Sequence, residues 1–164
     1  MGAIPLNEAE HHLLHQDIIY VGGGNTRAML AVWREWKIDE TLRKAWQSGT
    51  LLAGMSAGAS CWFDYGGSDS TWVGKLSPLP GLGLIKGSCT PHYDGEPNRR
   101  SDFHQLVKNG ELPPGVGIDD GAAVLFEGQQ VTEVVASRPT ATAYQVKLEN
   151  GQIIEESIKT RYLG

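Results

Sequence analysis

Cysteine is scarce. Cys61 and Cys89 are the two thiols in 164 residues, too few for a disulfide scaffold or a cysteine metal quartet. Basic clusters are lacking as well: 14 Lys+Arg against 19 Asp+Glu give a formal net charge of −5, with no Lys/Arg block. That balance argues against nucleic acid or an anionic membrane as a partner. No apolar run approaches the roughly 18 residues that would span a bilayer. The segment Met1–Glu10 carries acids and no positive stretch, unlike a secretory leader. These absences lead us to expect a soluble, cytoplasmic chain. What is present fits a globular protein. Hydrophobic residues make up 40% and charged residues 20%, which argues against disorder. The length suits one domain, able to bury roughly 68–70% of its unfolded surface.

Glycine is abundant, 21 residues in all, and its placement carries information. The apolar run Asp17–Val21 stops at Gly22-Gly23-Gly24, and Leu51–Ala53 stops at Gly54, as buried strands hand over to tight turns. Helical periodicity follows the first of these, with Met29, Leu30, Val32, Trp33 and Trp36 on one stripe, and recurs over Asp39–Gln47. Ala57–Ser60 can start a helix packed closely on a sheet. Residues 64–83, rich in Gly, Ser, Asp and Pro, read as a surface excursion. A strand from Leu84-Ile85 towards Pro91-His92 and a helix over Asn98–Asn109 come next. After Pro113-Pro114 the pattern turns to strands, at Val116–Ile118, Ala122–Phe126, Val131–Ser137, Ala143–Leu148 and Gln152–Ile158, with Gly128, Pro139 and Asn150-Gly151 as punctuation. Together these predict an α/β fold: a doubly wound, mostly parallel sheet with a hairpin-rich C-terminal part, in one domain over residues 1–164.

Gly54-Met55-Ser56-Ala57-Gly58 is a G-x-S-x-G sequence between a predicted strand and a predicted helix. Such a turn strains the serine backbone, lifts Oγ clear of the sheet and aims a helix N-terminus at it; a Gly/Ala/Ser packing point is the bland alternative. A serine nucleophile needs a base and an orienting acid. His11, His12 and His15 sit in a polar N-terminal segment, and His104 lies inside a helix where it reads as solvent-facing. His92, in a loop at a strand end, is the favoured base. Asp119 and Asp120, at another strand end, are candidates for the acid; Asp94 and Glu96 are near His92 in sequence, and residues so close rarely reach back to the same ring, so they stand as fallback candidates. The α/β-hydrolase order would need Asp64 or Asp69 as the acid, both in the polar excursion, and is rejected. Gly22–Gly24 lacks the spacing of a phosphate loop; one of its N–H groups, with that of Ala57, could form a two-donor oxyanion hole.

These motifs resemble a known family. Val21–Thr26, Gly54–Ala59, Pro91-His92-Tyr93 and Ile118–Gly121 look like the peptidase E (dipeptidase E, aspartyl dipeptidase) family of serine peptidases. Cyanophycinase is a relative, and the sheet is similar to that of class I glutamine amidotransferases. The likeness runs from about Asp17 to Leu148. It implies Ser56 as nucleophile, His92 as general base and Asp120 as the acid. It also implies Gly24 and Ala57 as oxyanion donors, Asn25 beside the substrate, and no metal or cofactor. The expected substrates are short peptides, often dipeptides with an N-terminal Asp. The loop after His92 is shorter than in enterobacterial aspartyl dipeptidases and resembles a Gram-positive and actinobacterial branch; there Arg99 or Arg100 could meet a substrate carboxylate or simply open a helix. Family members carry about two strand–helix units before the Gly22–Thr26 motif. Some 16 residues precede the first strand here, so the chain resembles a short form or fragment truncated at its N-terminus.

The leading expectation is a serine peptidase. An impaired peptidase-like domain that binds peptides or a partner without turnover is the alternative, and a nucleotide-binding domain using Gly22–Gly24 a third. The run Ile18–Val21 contains no proline, lysine or glycine to protect an open edge, so a homodimer burying that edge, or a separate N-terminal piece covering it, is expected; residues 1–16 folding back as a helix over the edge are the alternative.

Overall fold

The computed structural model of the chain describes residues 6–71 and 74–164, with side-chain detail from residue 8 onward. They divide into two compact units, Met1–Ala59 and Ser60–Gly164. The first holds α1 (Leu6–Leu14), β1 (Ile18–Val21), α2 (Thr26–Glu35), α3 (Ile38–Gln47) and β2 (Leu51–Gly54). The one-turn α4 (Ala57–Ser60) carries the boundary. The second unit holds β3 (Phe63–Ser68), β4 (Ser77–Pro80), β5 (Ile85–Pro91), α5 (Arg99–Lys108), β6 (Gly115–Ile118), β7 (Ala122–Glu127), β8 (Gln130–Ala136), β9 (Ala143–Glu149), β10 (Gln152–Ser157) and β11 (Arg161–Tyr162).

In the first unit β1 and β2 pair in parallel, Ile18 with Leu51 through Val21 with Gly54. Their glycine-terminated apolar runs are the strands expected from the sequence. Asn25 caps α2 by accepting the Ala28 N–H at 2.9 Å, which satisfies one of the orphan donors of the first turn. Ile19, Leu30, Leu42 and Ala45 are buried. The polar α1 is tied to α3 by Glu10 and Lys44 at 2.7 Å.

In the second unit a six-stranded mixed sheet has the order β10-β9-β6-β5-β3-β4, beside a three-stranded sheet β11-β8-β7. The class is α/β as expected, but among the described residues parallel and antiparallel pairings are equally frequent: β1–β2, β3–β5, β5–β6 and β8–β11 are parallel, while β3–β4, β6–β9, β7–β8 and β9–β10 are antiparallel. Leu76, Tyr93, Phe103, Val107, Leu112 and Val146 form a core cluster in the second unit. The two C-terminal hairpins turn at Gly128 (φ 59°) and at Asn150-Gly151 (φ 51° and 76°), where left-handed backbone suits the tight reversal.

One expectation fails. Part of residues 64–83 is not a surface excursion: β3 and β4 belong to the six-stranded sheet, and Gly66, Gly67 and Ser68 are buried. Here glycine is the packing residue. A Cβ on Gly67 would stand 2.3 Å from Thr90 Oγ1, so strands approach more closely than side chains would allow.

Among the described residues β1 pairs with β2 alone. Ile18 and Tyr20 are 61% and 62% exposed. Light scattering at tens of micromolar tests the expected homodimer: the chain should run as a dimer and Ile18→Lys with Tyr20→Lys as a monomer, because lysine on an edge opposes strand pairing. A clean monomer in the unaltered chain contradicts self-association.

Candidate active site

In the first unit, backbone crowding explains the G-x-S-x-G spacing. A Cβ on Gly54 would lie 2.2 Å from the Gly58 carbonyl oxygen and 2.7 Å from that of Val21. One on Gly58 would lie 2.1 Å from the Val21 oxygen. Neither position accepts a side chain, because the obstacles are main chain. Between them Met55 N–H donates to Val21 O at 3.1 Å, and Ser56 holds a left-handed φ of 55°. A non-glycine residue pays for that conformation in steric energy, and such strain concentrates at functional sites. The Gly22–Gly24 loop runs beside the serine: a Cβ on Gly23 would be 3.2 Å from Ser56 Cβ and 3.6 Å from Oγ. Gly24 follows at φ 146°, a backbone that favours glycine. Ala57 is buried. The expected helix after Ser56 is a single turn, because Cys61 and Trp62 lead straight into β3. Any positive potential at the serine therefore comes from first-turn N–H groups, not from a long helix dipole.

In the second unit the parallel register of β5 and β6 sets Pro91 opposite Ile118, so the residues that follow both strands emerge at one end of the sheet. His92 takes φ 59°, and Tyr93 N–H bonds Ile118 O at 3.1 Å. Tyr93 is buried against Gly117, where a Cβ would come within 2.6 Å of the ring. With Tyr93 fixed inward, His92 Nδ1 meets Asp120 Oδ1 at 2.7 Å. The carboxylate places the neutral ring's proton on Nδ1, which makes Nε2 the basic nitrogen. Gly95 supplies the room, since a Cβ there would be 2.0 Å from Asp120 Oδ2.

The two aspartates divide the work. Asp119, 5% exposed, accepts the Thr142 N–H through Oδ2 at 3.0 Å and does not hydrogen-bond through its buried Oδ1. Burial raises its carboxyl above the ordinary value. Asp120 is the acid that the structure brings to His92.

Other candidates are engaged elsewhere. His104 is half-buried, with Nε2 2.7 Å from Glu155 Oε2 and 2.9 Å from Tyr93 Oη. Arg100 also pairs with Glu155 and lies 4.5 Å over the Tyr144 ring. Arg99 is buried and paired with Glu96. Both arginines therefore answer protein carboxylates. Asp64 accepts the Gly87 N–H at 3.1 Å. His11 on α1 and His15 just after it stack with ring centroids 4.1 Å apart. Asp94 bonds the Asp120 main chain instead of the imidazole; the sequence marks it as a neighbour of His92 but carries no local signal of its bond to Asp120. Burial pushes the Cys61 thiol up to about 12, so it is not a ready thiolate. Among the described residues no group of three or more His, Cys, Asp or Glu could hold a metal ion. No described helix is long and apolar enough to cross a membrane.

The family model for peptidase family S51 matches residues 3–134. The chain belongs to peptidase family S51. This is a family of serine-type peptidases. It is 46% identical over 160 residues to the uncharacterized peptidase YgaJ of Bacillus subtilis (strain 168), covering 98% of this chain and 69% of that one. It is 28% identical over 140 residues to a peptidase E of Nostoc sp. (strain PCC 7120), covering 79% of this chain and 57% of the relative. A crystal structure of a peptidase from an acI-B1 actinobacterium is similar in fold, with a TM-score of 0.66 at 20% identity over 93% of this chain and 64% of that one. The S51 chain thus spans less than two thirds of the Nostoc relative and of the solved structure.

Two variants check this geometry. Gly95→Ala puts a methyl group where Asp120 Oδ2 stands. NMR should show loss of the downfield His92 Nδ1 proton while the fold persists; an unchanged signal would contradict the crowding. The second is Asp119→Asn. A carboxyl raised on folding adds stability below its unfolded pKa, and that stability is lost as pH rises through the folded value. Asp119→Asn should therefore melt no lower than the parent at pH 7 and lose any advantage as pH falls below about 4. A large drop in melting temperature at neutral pH would show that the charged form is needed.

Proposed function

We propose that the chain is a cytoplasmic serine peptidase hydrolysing dipeptides or short peptides, with Ser56 as nucleophile, His92 as general base and Asp120 as its orienting acid. The observation that carries the reading is the 2.7 Å His92–Asp120 hydrogen bond at the end of the parallel β5–β6 pair. Family membership and the strained turn at Ser56 support it. The fold assumed is a doubly wound, flavodoxin-like domain of the class I glutamine amidotransferase type over residues 1–164, and the parallel pairs β1–β2, β3–β5 and β5–β6 support that arrangement.

In this mechanism Ser56 Oγ attacks the scissile carbonyl carbon while His92 Nε2 takes the hydroxyl proton. The carbonyl π pair moves to oxygen, and the oxyanion is held by the N–H groups of Gly24 and Ala57, each donor worth about 10²–10³ in rate. Collapse of the intermediate expels the amine, which leaves with the proton from His92. Water then gives a proton to His92 and attacks the acyl-serine. The carboxyl product departs as Ser56 is reprotonated, so one water is consumed per bond cleaved. Asp120 keeps its charge throughout and stabilises the imidazolium. Asn25 borders the substrate while its side chain caps α2.

Ser56→Ala should abolish hydrolysis across a panel of dipeptides, Asp-X included, with the melting temperature held, since no cavity is made. Hydrolysis at the parent rate would overturn the nucleophile. Asp120→Asn should cut turnover by about two orders of magnitude or more, and Asp119→Asn far less. The reverse ranking would move the orienting role to Asp119. Parent and variants that bind the peptides with no turnover would establish the impaired domain instead.

A further inference from the structure

Asp120 sits on an exposed turn between β6 and β7, and its side chain is 49% exposed. Such a position does not by itself hold a carboxylate in one rotamer against a histidine. Its main chain, however, is gripped on both sides. Asp94 Oδ1 accepts the Asp120 N–H at 2.9 Å. Arg138 Nε donates to the Asp120 carbonyl oxygen at 2.7 Å. Arg138 Nη2 closes the ring by donating to Asp94 Oδ2 at 2.6 Å. The next residue is tied as well, with Ser137 N–H on Gly121 O at 2.8 Å.

We propose that Asp94 and Arg138 are positioning residues for catalysis, clamping the Asp120 peptide so that its carboxylate stays on His92 Nδ1. The inference rests on the triad reading above. Three arguments favour it over a simple surface ion pair. The planar guanidinium fork uses one edge to bridge a carboxylate and a carbonyl, a task that a point-charge ammonium does poorly. The two clamp residues come from the loop after His92 and from the bend that follows β8, so the base and the acid share one brace. The Arg138 and Asp94 side chains are 46% and 37% exposed, and exposed pairs add little to global stability. The consequence of losing the pair should therefore appear in turnover and not in melting temperature. The charged groups facing the clamp are Asp119, Asp120 and His92, with Arg100 near Asp119.

The test uses hydrolysis of p-nitrophenyl acetate by the full chain, with the Ser56→Ala rate subtracted. Arg138→Ala should lower kcat by about 10- to 100-fold, the scale of a misplaced catalytic group, with KM and melting temperature nearly unchanged. Methylguanidinium in solution should restore part of that loss. Arg138→Ala added to Asp120→Asn should cost nothing further, because both changes break one functional unit. Multiplied losses in the double variant, or a parent-like kcat in Arg138→Ala while Asp120→Asn is crippled, would overturn the clamp and leave the triad standing. No Ser56-dependent hydrolysis in the parent would overturn the triad reading and the clamp with it.

Discussion

The hydrogen bond between His92 and Asp120 depends on the strand register beneath it, and much of the second unit can be understood as holding that register. With Pro91 opposite Ile118, β5 and β6 end level, and the next residues leave the sheet side by side. Tyr93 then acts as a wedge. Its ring fills the space that Gly117 leaves open and its hydroxyl donates to Glu155 Oε2 at 2.6 Å. Arg100 and His104 close on the same carboxylate, and their hydrogen bonds, with that of Tyr93, hold Glu155 below its ordinary range despite the desolvation that opposes it. The phenol of Tyr93 is pushed upward by burial and by its bond to Glu155. A part-buried network that gathers three donors on one carboxylate favours one arrangement of the β5–α5 loop, and His92 is the residue that this arrangement turns outward.

The first unit solves a different problem by the same physical means. There the scarce quantity is space between main chains. Gly54, Gly58 and the Val21 carbonyl meet where no Cβ fits, and the Ser56 backbone is left in a left-handed turn beside Gly23. Glycine serves in both units as a contact surface more than as a hinge: Gly95 makes room for a carboxylate, Gly117 for an aromatic ring, and Gly67 for the Thr90 hydroxyl.

Much of this was legible in the sequence because it is local. Apolar runs ending in glycine marked β1 and β2, the helical stripe from Met29 marked α2, and Asn150-Gly151 marked a hairpin. Ser56, His92 and the Asp119-Asp120 pair stood out for the same reason: each follows a strand. The rest is long-range. Nothing local says that Asp94 and Arg138, 44 residues apart, share a proton-rich bridge over Asp120, or that Arg99 is buried. His104 read as solvent-facing because its partner Glu155 lies 51 residues on. The Gly66–Ser68 segment read as a loop because glycine and serine lower strand propensity; close contact with Ser60 and Thr90 overrides that preference. The choice between Asp119 and Asp120 came from the family resemblance, and the Thr142 contact explains physically why Asp119 is otherwise engaged.

The proposed mechanism requires Ser56 to be an activated nucleophile served by His92. The most direct measurement is covalent labelling of the full chain by a fluorophosphonate at neutral pH, with the adduct located by peptide mass spectrometry. One adduct is expected, on the peptide containing Ser56, and its loss in His92→Ala with the fold retained. No adduct, an adduct on another serine, or labelling of Ser56 that is indifferent to His92 would contradict it.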